Sequence, residues 1–527
     1  MSKAERDEVG GRYAWYVLVV LVLVYVFNFI DRQILSILAQ EIKADIGLSD
    51  SEIGFLYGTV FAVFYAIFGI PLGRLADVWV RKSLIAIGLA FWSVMTALSG
   101  TARSFPVLGA YRIGVGVGEA SATPAAFSSL VDWFPARLRA TALSIYSSGV
   151  YIGAGIGIFL GGWIVDAWRA AFPDGTAPLG LRGWHVAYFA VGLPGILLAI
   201  WVATLREPRR GQSEGLPEPP RHPHPFGELG RELMAVLPPL TLVSLWLAGA
   251  GPGGIARNLA GALAIALGAA ALVIATESLA QWVALGIGFY GAFSWAQGLR
   301  LRDAPAFALI FGTPALLFAG IGFACIAFVT YGIGFWGAPY FIRRYGVSAS
   351  EVGLYLGLAA ALGGWIGVTL GGVVSDALKQ RTPHARLWMG FATVALAAPI
   401  AVALLYSPTV GVAYLLNFAF SIVSPLWVGP GAATINELVL PRMRAIASAF
   451  YLLLVTFLGL ALGPYTMGKL SDAFAGAGAD PAEALRNAML FGLVPLALAG
   501  LLFALAWNRV GDAEATKVAR ARAVGES

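Results

Sequence analysis

GLSDSEIGFLYG fills residues 47–58, and GVSASEVGLYLG fills residues 346–357. The two stretches lie 299 residues apart, and the same spacing sets Gly73 against Gly372 and Asp77 against Asp376. Further on, RLRATALSIY at 137–146 pairs with RMRAIASAFY at 442–451, 305 residues apart. Unrelated segments have no reason to share loop chemistry at a nearly constant spacing. The chain therefore reads as two parallel copies of one unit.

Composition fixes the solvent in which those copies fold. Of 527 residues, 58% are hydrophobic and 12% charged, with a mean hydropathy of +0.77; soluble domains carry about 25% charged residues. The chain reads as an all-α polytopic membrane protein, because unpaired backbone groups are not tolerated in hydrocarbon. Apolar runs long enough to span fall at 15–39, 51–78, 83–101, 107–132, 140–167 and 184–205, and again at 314–342, 351–377, 387–406, 409–438, 445–471 and 486–507. No small-residue cleavage site follows the first run, so it reads as a retained span. Lys and Arg mark alternate loops: Arg74, Arg81 and Lys82, then Arg137 and Arg139, then Arg206, Arg209 and Arg210. In the second copy Lys379, Arg381, Arg386, Arg442, Arg444 and Arg509 continue the pattern, which places both termini in the cytoplasm of a multi-pass plasma (bacterial inner) membrane protein. The net charge of +6 is thus spent on topology, and a nucleic-acid partner is not expected. The single cysteine, Cys325, excludes an intrachain disulfide and any CxxC metal site. A parallel repeat of six spans, related by an axis along the membrane normal, is the arrangement of carriers that rock two halves about a midplane site.

Between the copies, GQSEGLPEPPRHPHPFGELG at 211–230 is Pro-rich and polar, as an extended cytoplasmic linker is. His222 and His224 have no third ligand nearby, so no metal is expected there. Apolar stretches near 233–249, 258–276 and 279–298 follow. Arg257 before the second and Arg300 and Arg302 after the third make those two a hairpin turning at Thr276 to Ser278. The first, broken by Pro238 and Pro239, is interfacial or re-entrant. The expected organisation is an N-terminal six-helix bundle (1–210), a linker with an inserted hairpin (211–302) and a C-terminal six-helix bundle with a cytoplasmic tail (303–527), with about fourteen spans by the span lengths above.

GRLADVWVRK at 73–82 resembles the loop signature of the major facilitator superfamily, with Val78 and Val80 in place of its usual Arg and Gly. The second copy, GGVVSDALKQR, keeps Gly372, Asp376, Lys379 and Arg381. GLALGPYTMG at 459–468 resembles the superfamily's GxxxGP packing motif, whereas GAGIGIFLGG at 153–162 has Ile158 at the proline position. The resemblance implies two six-helix bundles with pseudo-two-fold symmetry. Gly73, Asp77, Arg81 and Asp376, with Arg137 and Arg139, are then the expected conformational gate. Taken together, NFIDRQILSIL (28–38), residues 48–77, RIGVGVGEASATPAAFSSLVDWFP (112–135) and RLRATALSIY resemble the spinster-like branch. That branch includes exporters of sphingosine 1-phosphate and lysophospholipids, so the resemblance implies a proton-linked carrier of amphipathic anions. The N-[YF]-x-D-R pattern also looks like the anion-cation symporter branch, which leaves small organic acids as an alternative substrate class. A non-transporting receptor or scaffold is a second alternative, against which stands the lack of a large polar extramembrane segment.

Four charges sit inside apolar runs: Asp31 and Arg32 in the first span, Arg112 and Glu119 in the fourth. Each costs roughly 2.5 to 3.5 kcal/mol at a span centre, so they persist only if paired or used. By helical rise, Asp31 lies ~24 Å from the cytoplasmic start of its span and Arg112 ~8 Å below the outer start of its own, at similar depth. An Asp31–Arg112 pair is the most economical partnering, with Glu119 about one heptad deeper and further from a fixed cation. Glu119 and Asp31 are the expected proton-coupling residues, and Arg112 and Arg32 the expected headgroup ligands. The second copy carries only Asn417, Asn436 and Glu437 inside its spans, an apolar wall suited to a lipid tail. His185 reads as interfacial, and Lys469 and Asp472 as snorkelling and loop charges. No nucleophile-base pair or phosphate-cradling loop is present, so no enzyme activity is expected. No cofactor beyond the coupling proton is expected, and the carrier is expected to act as a monomer on a lipid or hydrophobic anion within membrane lipid.

Overall fold

The structure is a computed structural model that describes residues 9–173, 176–215, 217 and 222–526. Within the linker, Leu216 and residues 218–221 lie outside the described residues. Every regular element among those described is helical. The first copy builds α1 (Arg12–Ile46), α2 (Asp50–Tyr57) running into α3 (Thr59–Val78), α4 (Arg81–Ser99), α5 (Phe105–Glu119) followed by α6 (Ala122–Trp133), α7 (Ala136–Ala171) and α8 (Gly183–Ala203). Then come α9 (Pro225–Val236), α10 (Leu240–Leu247), the hairpin helices α11 (Pro252–Thr276) and α12 (Leu279–Arg302), and α13 (Ala304–Phe311). The second copy builds α14 (Pro314–Tyr345), then α15 (Ala349–Leu358) joined to α16 (Gly364–Lys379) by a π-helical stretch, Ala359–Gly363. After α17 (Ala385–Leu405) come α18 (Val410–Val423) and α19 (Val428–Glu437). A second π-helical stretch, Val455–Ala461, joins α20 (Arg444–Leu454) to α21 (Leu462–Gly476), and α22 (Pro481–Phe491) and α23 (Val494–Arg522) complete the chain.

Local chemistry sets the starts and breaks of these helices. α1 stops at Gly47, whose φ of +76° is a left-handed cap that any side chain would strain. α2 opens on a capping box: Ser49 Oγ accepts the Glu52 N–H at 3.2 Å, and Glu52 accepts the Ser49 N–H at 2.9 Å. In the second copy Ser348 Oγ accepts the Glu351 N–H at 3.2 Å, so the repeated Ser-x-Ser-Glu is a helix start in both places. The fourth span, expected to be continuous over 107–132, is broken after Glu119. Ser121 returns its hydroxyl to the Gly118 carbonyl at 2.8 Å, a side-chain bond that competes with the helical ladder.

Twelve helices among the described residues are long and apolar enough to cross a membrane. α11 is one of them, whereas α12 and the interrupted α5–α6 pair are not. α10 has eight residues, about 12 Å, too short to cross a hydrocarbon core of about 30 Å. The chain packs as two compact units, Met1–Leu48 with Phe68–Glu232 and Val347–Ala361, and Ser49–Ile67 with Leu233–Gly346 and Leu362–Ser527.

In the first unit α1 lies against α7. Gly157 permits the approach, since a Cβ there would come within 2.9 Å of Ile30 Cα, and Tyr25 stacks on Tyr146 at 4.5 Å. In the second unit the inserted hairpin is fastened by polar bonds. Asn258 of α11 donates to Ser294 and Gln297 of α12, each at 3.0 Å, and accepts from Tyr290 at 2.7 Å. Gln281 of α12 accepts the Thr59 hydroxyl at 2.6 Å, tying the hairpin to the start of α3.

Candidate functional site

The first unit contains the charged quartet. Asp31, Arg112 and Glu119 are 1%, 0% and 0% exposed, and Arg32 retains some access. The expected Asp31–Arg112 ion pair does not form. Arg112 Nη1 instead donates to the Asp31 backbone carbonyl at 3.2 Å, and the ion pair in the group is Arg32 to Glu119, Nε to Oε2 at 2.7 Å. The reason lies in helical phase. Neighbouring residues point about 100° apart, so Asp31 and Arg32 leave α1 in different directions, and it is the long Arg32 side chain that crosses to α5. Glu119 is therefore not the carboxylate far from a cation.

The group keeps unused hydrogen-bonding capacity. Among the described residues, none meets buried Asp31 Oδ1, Glu119 Oε1, Asn28 Oδ1 or Arg112 Nε and Nη2 in standard hydrogen-bond geometry. The side chains of Trp92, Thr96 and Tyr188 stand beside Asp31. A salt bridge that serves only packing has its remaining valences filled, because each buried unpaired group costs about 1 to 3 kcal/mol. Here buried donors and acceptors of both signs converge from α1 and α5.

The loop after α3 is the other charged centre. Buried Arg81 reaches Glu207 Oε1 at 2.8 Å, Asp132 Oδ2 at 2.5 Å, Ser128 Oγ at 3.0 Å and the Pro208 carbonyl at 2.9 Å. It fastens the ends of three helices as expected of a loop anchor, but Asp77 is exposed and has no hydrogen bond among the described residues. Arg210 donates to the carbonyls of Ala76 and Trp79, and burial together with the nearby Arg81 charge pulls its guanidinium below its ordinary range. Arg139 pairs with Glu214 at 2.8 Å, whereas Arg137 is exposed. Gly73 has ordinary contact distances around it, so no close approach demands a glycine there. In the second unit Asp376 bonds Arg386 at 3.0 Å, and Arg386 and Lys379 both hold Glu437, which makes Glu437 a structural carboxylate.

One sequence reading changes at the opposite ends of the helices. Asp472 is a helix cap, accepting the N–H groups of Asp50 and Ser51. Asp50 itself takes both Arg343 nitrogens, at 2.7 and 2.6 Å, and the Ser471 hydroxyl at 2.7 Å. Asp132, Glu207 and Asp50 went unnoticed because each stands at a span end, where a charge is ordinary. His185 accepts the Arg182 N–H at 3.0 Å and stacks on Trp184.

Residues 21–464 match the Major Facilitator Superfamily. The chain belongs to that superfamily. An MFS-type efflux pump of Mycolicibacterium smegmatis is 26% identical over 499 residues, 94% of this chain and 93% of that protein. A probable galactarate/D-glucarate transporter of Bacillus subtilis is 32% identical over 203 residues, 37% of this chain and 41% of its own. Among solved structures, a bacterial homolog of the human lysosomal transporter Spinster, inward-facing and unoccupied, superposes with a TM-score of 0.72 at 28% identity, covering 95% of this chain and 98% of the other. The protein is thus a spinster-like transporter of the superfamily, integral to a membrane, and not an enzyme.

Proposed function

We propose that this transporter is a proton-coupled carrier of amphipathic anions, lysolipids or sphingoid phosphates, working by alternating access as a monomer in the plasma membrane with both termini cytoplasmic. The observation that carries the reading is Arg112, wholly buried with two nitrogens unpartnered among the described residues, beside an Arg32–Glu119 pair whose second carboxylate oxygen is likewise unpartnered there. With all four groups ionised the quartet is neutral. A proton on Glu119 weakens its hold on Arg32 and leaves the site net positive by one. A phosphate then takes the two guanidinium groups through charge-assisted, bidentate hydrogen bonds, so proton and anion bind cooperatively. Asp31 keeps Arg112 positioned and is the second candidate for the proton. Gly73, Asp77, Arg81, Asp376, Arg137 and Arg139 serve the conformational exchange, with Arg81 as its fixed anchor.

The test is flux into proteoliposomes under an imposed pH gradient, with a lysophospholipid in one arm and a hexuronate in the other. Lysolipid flux that follows the gradient supports the proposal. A second reading, a symporter of small organic acids, is favoured by the 32% identity to the galactarate/D-glucarate transporter and is the conclusion if only hexuronate moves. Gradient-independent flux of either would remove proton coupling.

A further inference from the structure

Asp166 near the end of α7 and Asp472 near the end of α21 hold equivalent places in the internal repeat, VDAW at 165–168 against SDAF at 471–474. They do the same thing. Asp472 accepts the N–H groups of Asp50 at 2.9 Å and Ser51 at 2.8 Å, in the first turn of α2. Asp166 accepts the N–H and the hydroxyl of Ser350, both at 2.6 Å, in the first turn of α15. The recipients are the repeated stretches themselves, 47–58 and 346–357.

The backbone approaches repeat as well. Gly162 and Gly468 each stand one turn before their aspartate, and a Cβ would collide with the carbonyl of Ala349 at the first and of Asp50 at the second. Two turns along, a Cβ on Gly357 would come within 2.6 Å of the Gly155 carbonyl, and one on Gly58 within 2.5 Å of the Leu460 carbonyl. The Asp472 contacts lie wholly within the second unit and the Asp166 contacts wholly within the first. The copies differ in their supports: Ala349 stands where α2 has Asp50, so Arg343 and Ser471 reinforce the Asp472 end, whereas at the other end exposed Arg169 reaches Asp166 at 3.4 Å.

We infer that Asp166 and Asp472 form a duplicated latch at the membrane face opposite the N-terminus, each carboxylate holding the positive end of a helix that belongs, by sequence, to the other copy. The first turn of a helix exposes unpaired N–H groups and a partial positive charge, and a carboxylate satisfies both. Each contact ties the end of a span of one copy to the start of a span of the other. The inference rests on the alternating-access reading above, and its test uses no substrate.

Ile53 and Val352 are both buried, occupy equivalent places on α2 and α15, and serve as reporters when changed singly to cysteine in a Cys325→Ser background. Labelling by an impermeant maleimide from the outer side is expected to speed up roughly tenfold in Asp166→Asn with Asp472→Asn, the factor for losing about one charge-assisted contact. Asp166→Glu with Asp472→Glu should keep it slow. The single variant Asp166→Asn, lacking the Arg343 reinforcement, should speed labelling more than Asp472→Asn does, and the singles decide the matter if the double does not fold. Labelling unchanged in every Asn variant overturns the latch. So does an equal acceleration in Glu52→Gln, which loosens the helix's own cap. Faster labelling in a protein that moves neither probe anion would remove the proposed substrates and leave the latch, whereas unchanged labelling in a working carrier removes the latch alone.

Discussion

Arg32 and Glu119 are one residue and one heptad away from the pair that depth alone selects, and the difference changes what a mutation should do. Removing one member of a buried ion pair leaves the other charge uncompensated, at about 3 to 5 kcal/mol. Arg32→Gln with Glu119→Gln should therefore be less damaging than the two singles added, with a coupling of roughly 1 to 3 kcal/mol in a thermal-unfolding cycle. Asp31→Asn with Arg112→Gln, linked only through a backbone carbonyl, should retain less coupling than that. A larger coupling for the second pair would mean that the ion pairs exchange partners. Glu119→Gln also tests the proton. It removes the titrating group and frees Arg32 permanently, so anion exchange should persist while the pH dependence of net flux disappears. Wild-type pH dependence in that variant would move the coupling to Asp31.

At the scale of elements, loop charges do quantitative work that their positions in the sequence only hint at. Asp303 caps α13 by accepting the Ala306 N–H at 3.0 Å and meets Arg442 at 2.6 Å, while Arg442 also holds Glu526. The Arg442 hydrogen bond keeps the Asp303 carboxyl below its usual range, outweighing its burial. A depressed carboxylate contributes stability that is complete above its unfolded value, about 3.9, and is lost as pH falls through the lower folded value. Asp303→Asn should lower the melting temperature near neutrality and make the protein's acid limb shallower; identical slopes in the two proteins between pH 5 and the onset of acid unfolding would show that the cap alone matters. The helices themselves were legible. Most spans follow from apolar length, and the two hairpin helices from the apolar stretches near 258–276 and 279–298; the Ser49 and Ser348 caps lie in stretches read only as a repeat. What the sequence withheld was side-chain direction: Asp31 and Arg32 are adjacent letters that face different neighbours, and the break after Glu119 depends on one Ser121 hydroxyl. Asp472 was legible in principle, because SDAF repeats VDAW, but a carboxylate at a span end carries no mark of what it caps.

For the whole molecule, the inserted hairpin is the part that the internal repeat does not explain. α12 rests on the second unit through Gln281 to Thr59, Trp282 against Tyr465 and Phe289 against Phe457, so it is built into the core rather than appended to it. α11 is apolar around its whole circumference and largely exposed, as a helix surrounded by lipid is. The turn between them contains Glu277, exposed and held at a φ of +54°. If positive charge sets orientation, Arg257, Arg300 and Arg302 keep both ends of the pair on the side of the termini, and Glu277 is delivered to the other side. A cysteine at Glu277 in a Cys325→Ser background should then react with an impermeant thiol reagent added outside intact cells. One at Ala515, exposed on α23 beyond the last apolar stretch, should react only after permeabilisation. Equal protection of both positions in intact cells would mean that α11 and α12 do not cross, leaving a core of twelve spans with an interfacial hairpin. Reaction of both would place the C-terminal tail outside and reverse the charge argument for the entire chain.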